Sequence, residues 1–322
     1  MIPAKDKLTI CFAHAAYQLG DRFAARNTGI EAFEVRTLEA LQARIAHADV
    51  LVVSGLWRNE LLDHAPRLKF IQSISAGTDQ YSRTAIGAAG VRLASAQGSN
   101  ERAVAEHAIA LILACARKLG EAGNNQRRHH WRGMTGDVGR REDEVGGKTL
   151  VIVGLGRIGS RLAKLARAFD MKVIGVKRDA GSGGEAADRI VAQADLLEAL
   201  AEADYVALTC PLTPATEKLI GAAALGAMKP SAFLVNVARG RVVDEAALID
   251  ALSQRQIAGA ALDCVETEPL PESSPLWDMD NVLITPHTAG ETRRYEDNVI
   301  DCLLENLERL WRGDDTLINQ IV

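Results

Sequence analysis

Apolar positions along the chain follow two alternating patterns. Short apolar runs at residues 8–12, 33–35, 50–53, 70–74 and 91–94 predict strands, and the spacing at 38–46 and 59–65 between them predicts helices. Strands alternating with helices form parallel βαβ units, so residues 1–99 are expected to make a small α/β unit. A long helical pattern follows, with Asn100 as a candidate N-cap and Val104, Ala108, Leu111, Cys115 and Leu119 on one stripe. Its middle, residues 108–116, is apolar all round, as in a helix buried on several sides.

The stretch 120–147 is rich in Gly and Arg and weakly periodic, which predicts loop and short helix. Strand patterns then recur at residues 149–153, 172–176, 205–208, 232–237, 259–262 and 282–284, the rhythm of a doubly wound sheet. A last helical stretch at 292–311 has an apolar face of Ile300, Leu303, Leu304, Leu307 and Leu310, ends near Gly313, and is expected to return to the first unit. The expected fold class is therefore α/β with two Rossmann-like domains. A doubly wound parallel-sheet dinucleotide-binding domain, residues 100–290, is inserted into a smaller flavodoxin-like substrate-binding domain made of residues 1–99 and 291–322, with the two crossings as hinges.

Composition narrows the function. The chain has 322 residues, 48% of them hydrophobic, enough for two cores. Its net charge of −5 gives no large positive field to recruit nucleic acid. One basic run, Arg127, Arg128, His129, His130 and Arg132 around Trp131, reads either as a solvated helix end or as the lining of an anion-binding cleft. Cys11, Cys115, Cys210, Cys264 and Cys302 are odd in number and scattered, with no Cys-x-x-Cys pair, so reduced thiols and no metal site are expected. No secretory signal or membrane-spanning stretch is evident, and a cytoplasmic protein is expected.

Candidate chemistry begins at the first strand of the second half, which runs directly into Gly154-Leu155-Gly156-Arg157-Ile158-Gly159 and then a helix. The first glycine permits the tight turn, the second lets backbone approach a pyrophosphate, and the third lets helix pack on strand. After the next strand, a carboxylate would bond the ribose hydroxyls of NAD; Lys177 and Arg178 stand there instead, followed by Asp179. Two cations suit a 2′-phosphate, so NADP(H) is favoured, with NAD(H) as the alternative. Arg239, Glu268 and His287 each stand just beyond the carboxyl end of a separate predicted strand, where open α/β sheets bind ligands. Together they offer an anion clamp beside an acid/base pair, whereas each alone has an ordinary structural explanation.

With these residues in view, the whole chain resembles the D-isomer-specific 2-hydroxyacid dehydrogenase family, in particular its glyoxylate/hydroxypyruvate reductase-like members. The resemblance rests on Ala105-Glu106-His107, the Gly154 to Gly159 turn, Cys210-Pro211-Leu212-Thr213-Pro214 with Thr216, Val235-Asn236-Val237-Ala238-Arg239-Gly240, Leu262-Asp263 leading to Glu268-Pro269, and Pro275-Leu276-Trp277 ahead of Thr285-Pro286-His287. It implies an NAD(P)H-dependent, reversible reduction of a 2-oxo acid to a D-2-hydroxy acid, and a homodimer. In that pattern His287 is the acid/base, Glu268 supports it, and Arg239 binds the substrate carboxylate and carbonyl. Ala76 and Gly77, within Ser75 to Asp79, hold the substrate carboxylate. Asp263 is expected near the nicotinamide amide, with Ala238 and Gly290 beside the ring. Trp57 or Arg58 is a candidate for side-chain selectivity, and Trp131 for a contact with a neighbouring subunit. The rival from another class is a nucleotide-sensing, corepressor-like binding protein on the same fold.

Overall fold

A computed structural model of the protein describes residues 2–179 and 187–322. The chain divides into two compact units, residues 1–100 with 291–322 and residues 101–290. Asn100, expected at the head of the inserted segment, groups with the first unit. Its side-chain oxygen is buried without a hydrogen-bond partner, so the N-cap expected of it is not made.

In the first unit, β1 (Thr9–Ala13), β2 (Glu31–Val35), β3 (Val50–Val53), β4 (Phe70–Ser73) and β5 (Arg92–Ala94) form a parallel sheet in the order β2-β1-β3-β4-β5. This is the flavodoxin-like strand order. Every residue of β1, β3 and β4 is buried, which explains the nearly continuous apolar runs of β1 and β3, while the buried Gln72 and Ser73 of β4 are hydrogen-bonded. Helices Leu19–Ala24 and Arg83–Ala88 escape the sequence pattern because six residues are too few to display a helical period. The stretch expected as helix at 59–65 is the 3-10 turn Asn59–His64.

Trp57 is a correction. It is 2% exposed within the core under β3 and β4, and its Nε1 donates to Asn59 Oδ1 at 3.1 Å, so it packs and does not line an open surface. Arg58 is exposed and donates to the carbonyls of Gly55 and Trp57.

The chain end closes this unit. Helix Tyr295–Arg312 sets Tyr295, Val299, Ile300, Leu303 and Leu307 into the same core as Leu8, Phe12 and Phe70, and it stops where Gly313 takes φ 77°. The terminal residues then run antiparallel along β5, with Ile321 N donating to Leu93 O at 2.8 Å. Asn306 ties the pieces together from a fully buried position: Nδ2 donates to Gln72 Oε1 at 3.0 Å and Oδ1 accepts from Ile318 N at 2.7 Å.

In the second unit, β6 (Thr149–Val153), β7 (Lys172–Lys177), β8 (Arg189–Ala192), β9 (Tyr205–Leu208), β10 (Phe233–Asn236), β11 (Gly259–Leu262) and β12 (Val282–Ile284) form a parallel sheet in the order β12-β11-β10-β9-β6-β7-β8. The edge strand β8, Arg-Ile-Val-Ala, has no fully buried residue and is not among the strands expected from sequence. Helix Glu101–Ala116 packs against helix Arg157–Ala168 and against β10 and β11, which accounts for its apolar middle. It does not run on through Leu119. Lys118 takes φ 49°, a second helix Leu119–Arg127 begins, and Leu119 is exposed rather than on the buried stripe.

Strand order reverses between β6 and β9, so the crevice beyond their carboxyl ends is the natural ligand position. In the first unit, Asn306→Ala leaves the Ile318 N–H and Gln72 Oε1 without their buried partner. A loss of about 1–3 kcal/mol in urea unfolding is expected, and an unchanged midpoint would show that this knot contributes nothing.

Candidate active site

The turn after β6 is built by close approach. Gly154 has φ 99°, and a Cβ there would lie 2.6 Å from the Cys210 backbone. A Cβ on Gly159 would lie 2.3 Å from Gly154 O. Both positions exclude any side chain. At Gly156, in contrast, a Cβ would meet nothing within 4 Å, and helix Arg157–Ala168 starts behind it with no side-chain cap. Open space in front of uncapped helical N–H groups is what a pyrophosphate needs, so these residues fit a dinucleotide.

The neighbouring positions frame that turn. Arg157 is exposed and Ile158 packs against the core below. Thr216 Oγ1 donates to Pro211 O at 2.7 Å and accepts from Thr213 N at 2.8 Å, which closes the loop running on from Cys210 beside Gly154. Lys177 ends β7 half-buried, and Arg178 follows it, exposed.

Arg239 is placed by Asn236, the buried last residue of β10. Asn236 Oδ1 accepts from Ala238 N at 3.0 Å, and its Nδ2 donates to Arg239 O at 3.0 Å and to Cys264 O at 3.4 Å. Ala238 is buried in the same turn, and Arg239 Nη1 donates to its carbonyl at 2.8 Å. Gly240 then lies so close to the loop after β11 that a Cβ would sit 1.8 Å from Val265 O. One amide and one glycine thus fix the strand ends of β10 and β11 to each other.

His287 and Glu268 meet directly. His287 Nδ1 and Glu268 Oε2 are 2.7 Å apart, and the second carboxylate oxygen accepts from Val265 N at 3.1 Å. His287 has φ 55°, a left-handed conformation that a non-glycine residue adopts only when its surroundings hold it there. Asp263 supplies much of that hold. Its buried carboxylate accepts from Thr285 Oγ1 at 2.6 Å, Thr288 N at 3.0 Å and Ala289 N at 3.1 Å, bracketing His287 on both sides. His107 on helix Glu101–Ala116 reaches the same knot, with Nε2 3.0 Å from Thr285 Oγ1. The Asp263 acceptors expected to face a nicotinamide are thus largely used within the protein.

Electrostatics favour a charged imidazole. Burial works to raise the Glu268 carboxyl, but its bond to His287, the imidazolium charge, the Val265 N–H and Arg239 outweigh burial and leave it lowered. His287 is pushed up to about 10 through its contacts with Cys264 and then Glu268, against desolvation. Burial raises the Cys264 thiol, which is therefore neutral near pH 7, so the Glu268 carboxylate is the charge that keeps the ring protonated. His287 is also 43% exposed at its side chain, so a ligand can reach the ring.

Arg239, Glu268 and His287 thus belong to one unit and to adjacent strand ends, with Gly290 at that unit's last position. Ala76 and Gly77 lie in the other unit, half-buried in the bend after β4. Asn236, Thr285, His107 and Cys264 received no role from sequence. The first three sit inside motifs that carried the resemblance, but their work is to hold neighbours, which spacing does not reveal.

Residues 109–289 match the family model for the D-isomer specific 2-hydroxyacid dehydrogenase NAD binding domain. The chain belongs to the D-isomer-specific 2-hydroxyacid dehydrogenase family. It is an NAD(P)-dependent oxidoreductase acting on CH–OH groups. Among its relatives is a glyoxylate/hydroxypyruvate reductase B from Pectobacterium carotovorum, 38% identical over 88% of this chain and 89% of the relative. A D-3-phosphoglycerate dehydrogenase from Methanocaldococcus jannaschii is 35% identical over 86% of this chain, which spans only 52% of that longer protein. The fold is similar to that of an NADPH-dependent glyoxylate/hydroxypyruvate reductase from Sinorhizobium meliloti solved with NADP and malonate, with a TM-score of 0.81, 26% identity, and coverage of 98% of this chain and 97% of that one.

Within this dehydrogenase, Gly240→Ala forces the turn carrying Arg239 away from the loop after β11. A loss of about 1–3 kcal/mol is expected from overpacking. Urea unfolding of the variant checks it, and parent-like stability would mean the two loops are not in contact.

Proposed function

We propose that the chain reduces a small 2-oxo acid to the D-2-hydroxy acid with NADPH, and that His287, Glu268 and Arg239 are its catalytic set. The observation that carries this reading is the His287 Nδ1 to Glu268 Oε2 contact of 2.7 Å beside the Arg239 turn. Bound NADPH supplies the hydride. His287 donates the proton to the carbonyl oxygen from Nε2, because Nδ1 is engaged by Glu268. Glu268 raises the proton affinity of the ring and fixes its orientation, much as a buried carboxylate serves other catalytic histidines. Arg239 grips the substrate carboxylate and offsets the negative charge that grows on the carbonyl oxygen.

Lys177 and Arg178 at the end of β7 support NADPH over NADH, since two cations there can pair with a 2′-phosphate. The substrate proposal, glyoxylate or hydroxypyruvate, follows the reductases at 38% and 26% identity. A homodimer is part of the same reading. Exposed Leu119, Trp131, Met134 and Val138 fall within one stretch of about twenty residues, apolar side chains that a second protomer could cover.

An absorbance assay with glyoxylate, hydroxypyruvate and bulkier 2-oxo acids, each run with NADPH and NADH, tests substrate and cofactor together. Turnover of the small acids with NADPH preferred is expected; a strong NADH preference removes the role given to Lys177 and Arg178. His287→Ala and Arg239→Ala are each expected to cut kcat/KM by about 100-fold or more. Near-normal rates in either variant would take that residue out of the mechanism.

A further inference from the structure

Cys264 is a chemically reactive side chain at the His287 end of the site that the proposed reaction does not use. Its Sγ donates weakly to Ala238 O at 3.6 Å, and it lies 1% exposed beneath the loop that carries Glu268. One ligand atom each from Cys264, Glu268 and His287 lie within 4.8 Å of one another. Sulfur, imidazole nitrogen and carboxylate oxygen are the three donor types that bind zinc, and three protein ligands with one open position is the usual form of an accessible zinc site.

We propose that Cys264, Glu268 and His287 form a binding site for a thiophilic divalent cation such as Zn²⁺, and that its occupation reversibly switches the enzyme off. The proposed inhibition rests on the role given to His287 above; the binding itself does not.

The geometry requires small movements. Zinc bonds of about 2.0–2.3 Å place tetrahedral ligand atoms about 3.3–3.7 Å apart. His287 Nδ1 and Glu268 Oε2, now 2.7 Å apart, must open slightly, and Sγ must turn toward them from Ala238 O. The side chains of His287 and Glu268 are 43% and 37% exposed, so both can move and a cation can enter between them.

Charge also balances. The metal-free cluster holds a neutral thiol, a carboxylate and an imidazolium, with no net charge. Entry of Zn²⁺ expels the thiol proton and one imidazolium proton to solvent, leaving thiolate, carboxylate, neutral imidazole and Zn²⁺, again with no net charge. Arg239 nearby therefore meets no added repulsion. The consequence is chemical: Zn²⁺ replaces the proton on Nδ1, and the Nε2 proton that remains could leave only by forming an imidazolate, so the ring becomes a far weaker acid than the imidazolium. Hard cations such as Mg²⁺ and Ca²⁺ prefer all-oxygen sites and should not compete.

The test uses the full-length protein freed of metal with a chelator and then titrated with Cd²⁺, which reports thiolate ligation by an ultraviolet charge-transfer band. The parent should show the band, and Cys264→Ala should lose it. In parallel, Zn²⁺ should inhibit the parent and be reversed by chelator, with the inhibition of each variant read against its own metal-free activity. Cys264→Ala should need more than about tenfold more Zn²⁺, since even indirect supports of a metal ligand are worth that much. Cys264→Ser, a closer replacement, serves if the alanine variant is unstable. An undiminished Cd²⁺ band in either variant overturns the proposal. So does equal Zn²⁺ sensitivity, or sensitivity that disappears instead in a His129→Ala/His130→Ala variant. Loss of the band in Cys264→Ala, coupled with full activity in His287→Ala, would uphold the metal site and remove only the catalytic role of His287.

Discussion

The hydrogen bond between His287 and Glu268 depends on a buried carboxylate that touches neither of them. Asp263 draws in Thr285, Thr288 and Ala289, and so sets the path of the chain that carries His287. A carboxylate sealed at 2% exposure is costly unless its lone pairs are filled, and here they are filled by the loop that needs positioning. The left-handed backbone of His287 is tolerated because its neighbours on both sides are anchored in this way. Asn236 does the corresponding work for Arg239, and Gly240 removes the side chain that would hold the two loops apart. Chemistry at the rim thus rests on polar groups one layer beneath it.

Much of the fold is legible in the amino-acid sequence because parallel strands buried on both faces leave long apolar runs. The strands that become β3, β6, β9 and β11 coincide with their patterns residue for residue, and so does the half-buried edge strand β12, whose three residues are all apolar. Two kinds of element are missing from the pattern. β8 is half-buried at an edge, and the helices Leu19–Ala24 and Arg83–Ala88 are under two turns long. The break at Lys118 is invisible to periodicity because the apolar stripe continues in sequence after the helix has turned. Trp57 misleads for a related reason: an aromatic beside an Arg looks like surface until the core beneath it is seen.

The site was legible as residue types at strand ends, since the carboxyl edge of a parallel sheet is where such folds place their ligands. Its supports were not. Cys264 falls next to Asp263 in an unremarkable loop, and only the fold brings its sulfur toward His287 and Glu268. The glycine turn illustrates the same limit. The pattern locates it, but the contrast between crowded Gly154 and Gly159 and open Gly156 is a property of space, and that contrast argues for a phosphate.

The central claim is that Glu268 keeps His287 protonated at neutral pH, and the pH dependence of kcat/KM for 2-oxo acid reduction tests it most directly. His287 is raised to about 10, so the proton-donating form persists through neutrality and is lost only as pH rises through that value. Cys264 and Glu268 both raise it, and replacing Glu268 by Gln removes the carboxylate's share, so the alkaline limb should fall at lower pH than in the parent. A limb that stays in place in Glu268→Gln, or a parent enzyme that already loses activity near neutrality, would contradict that claim.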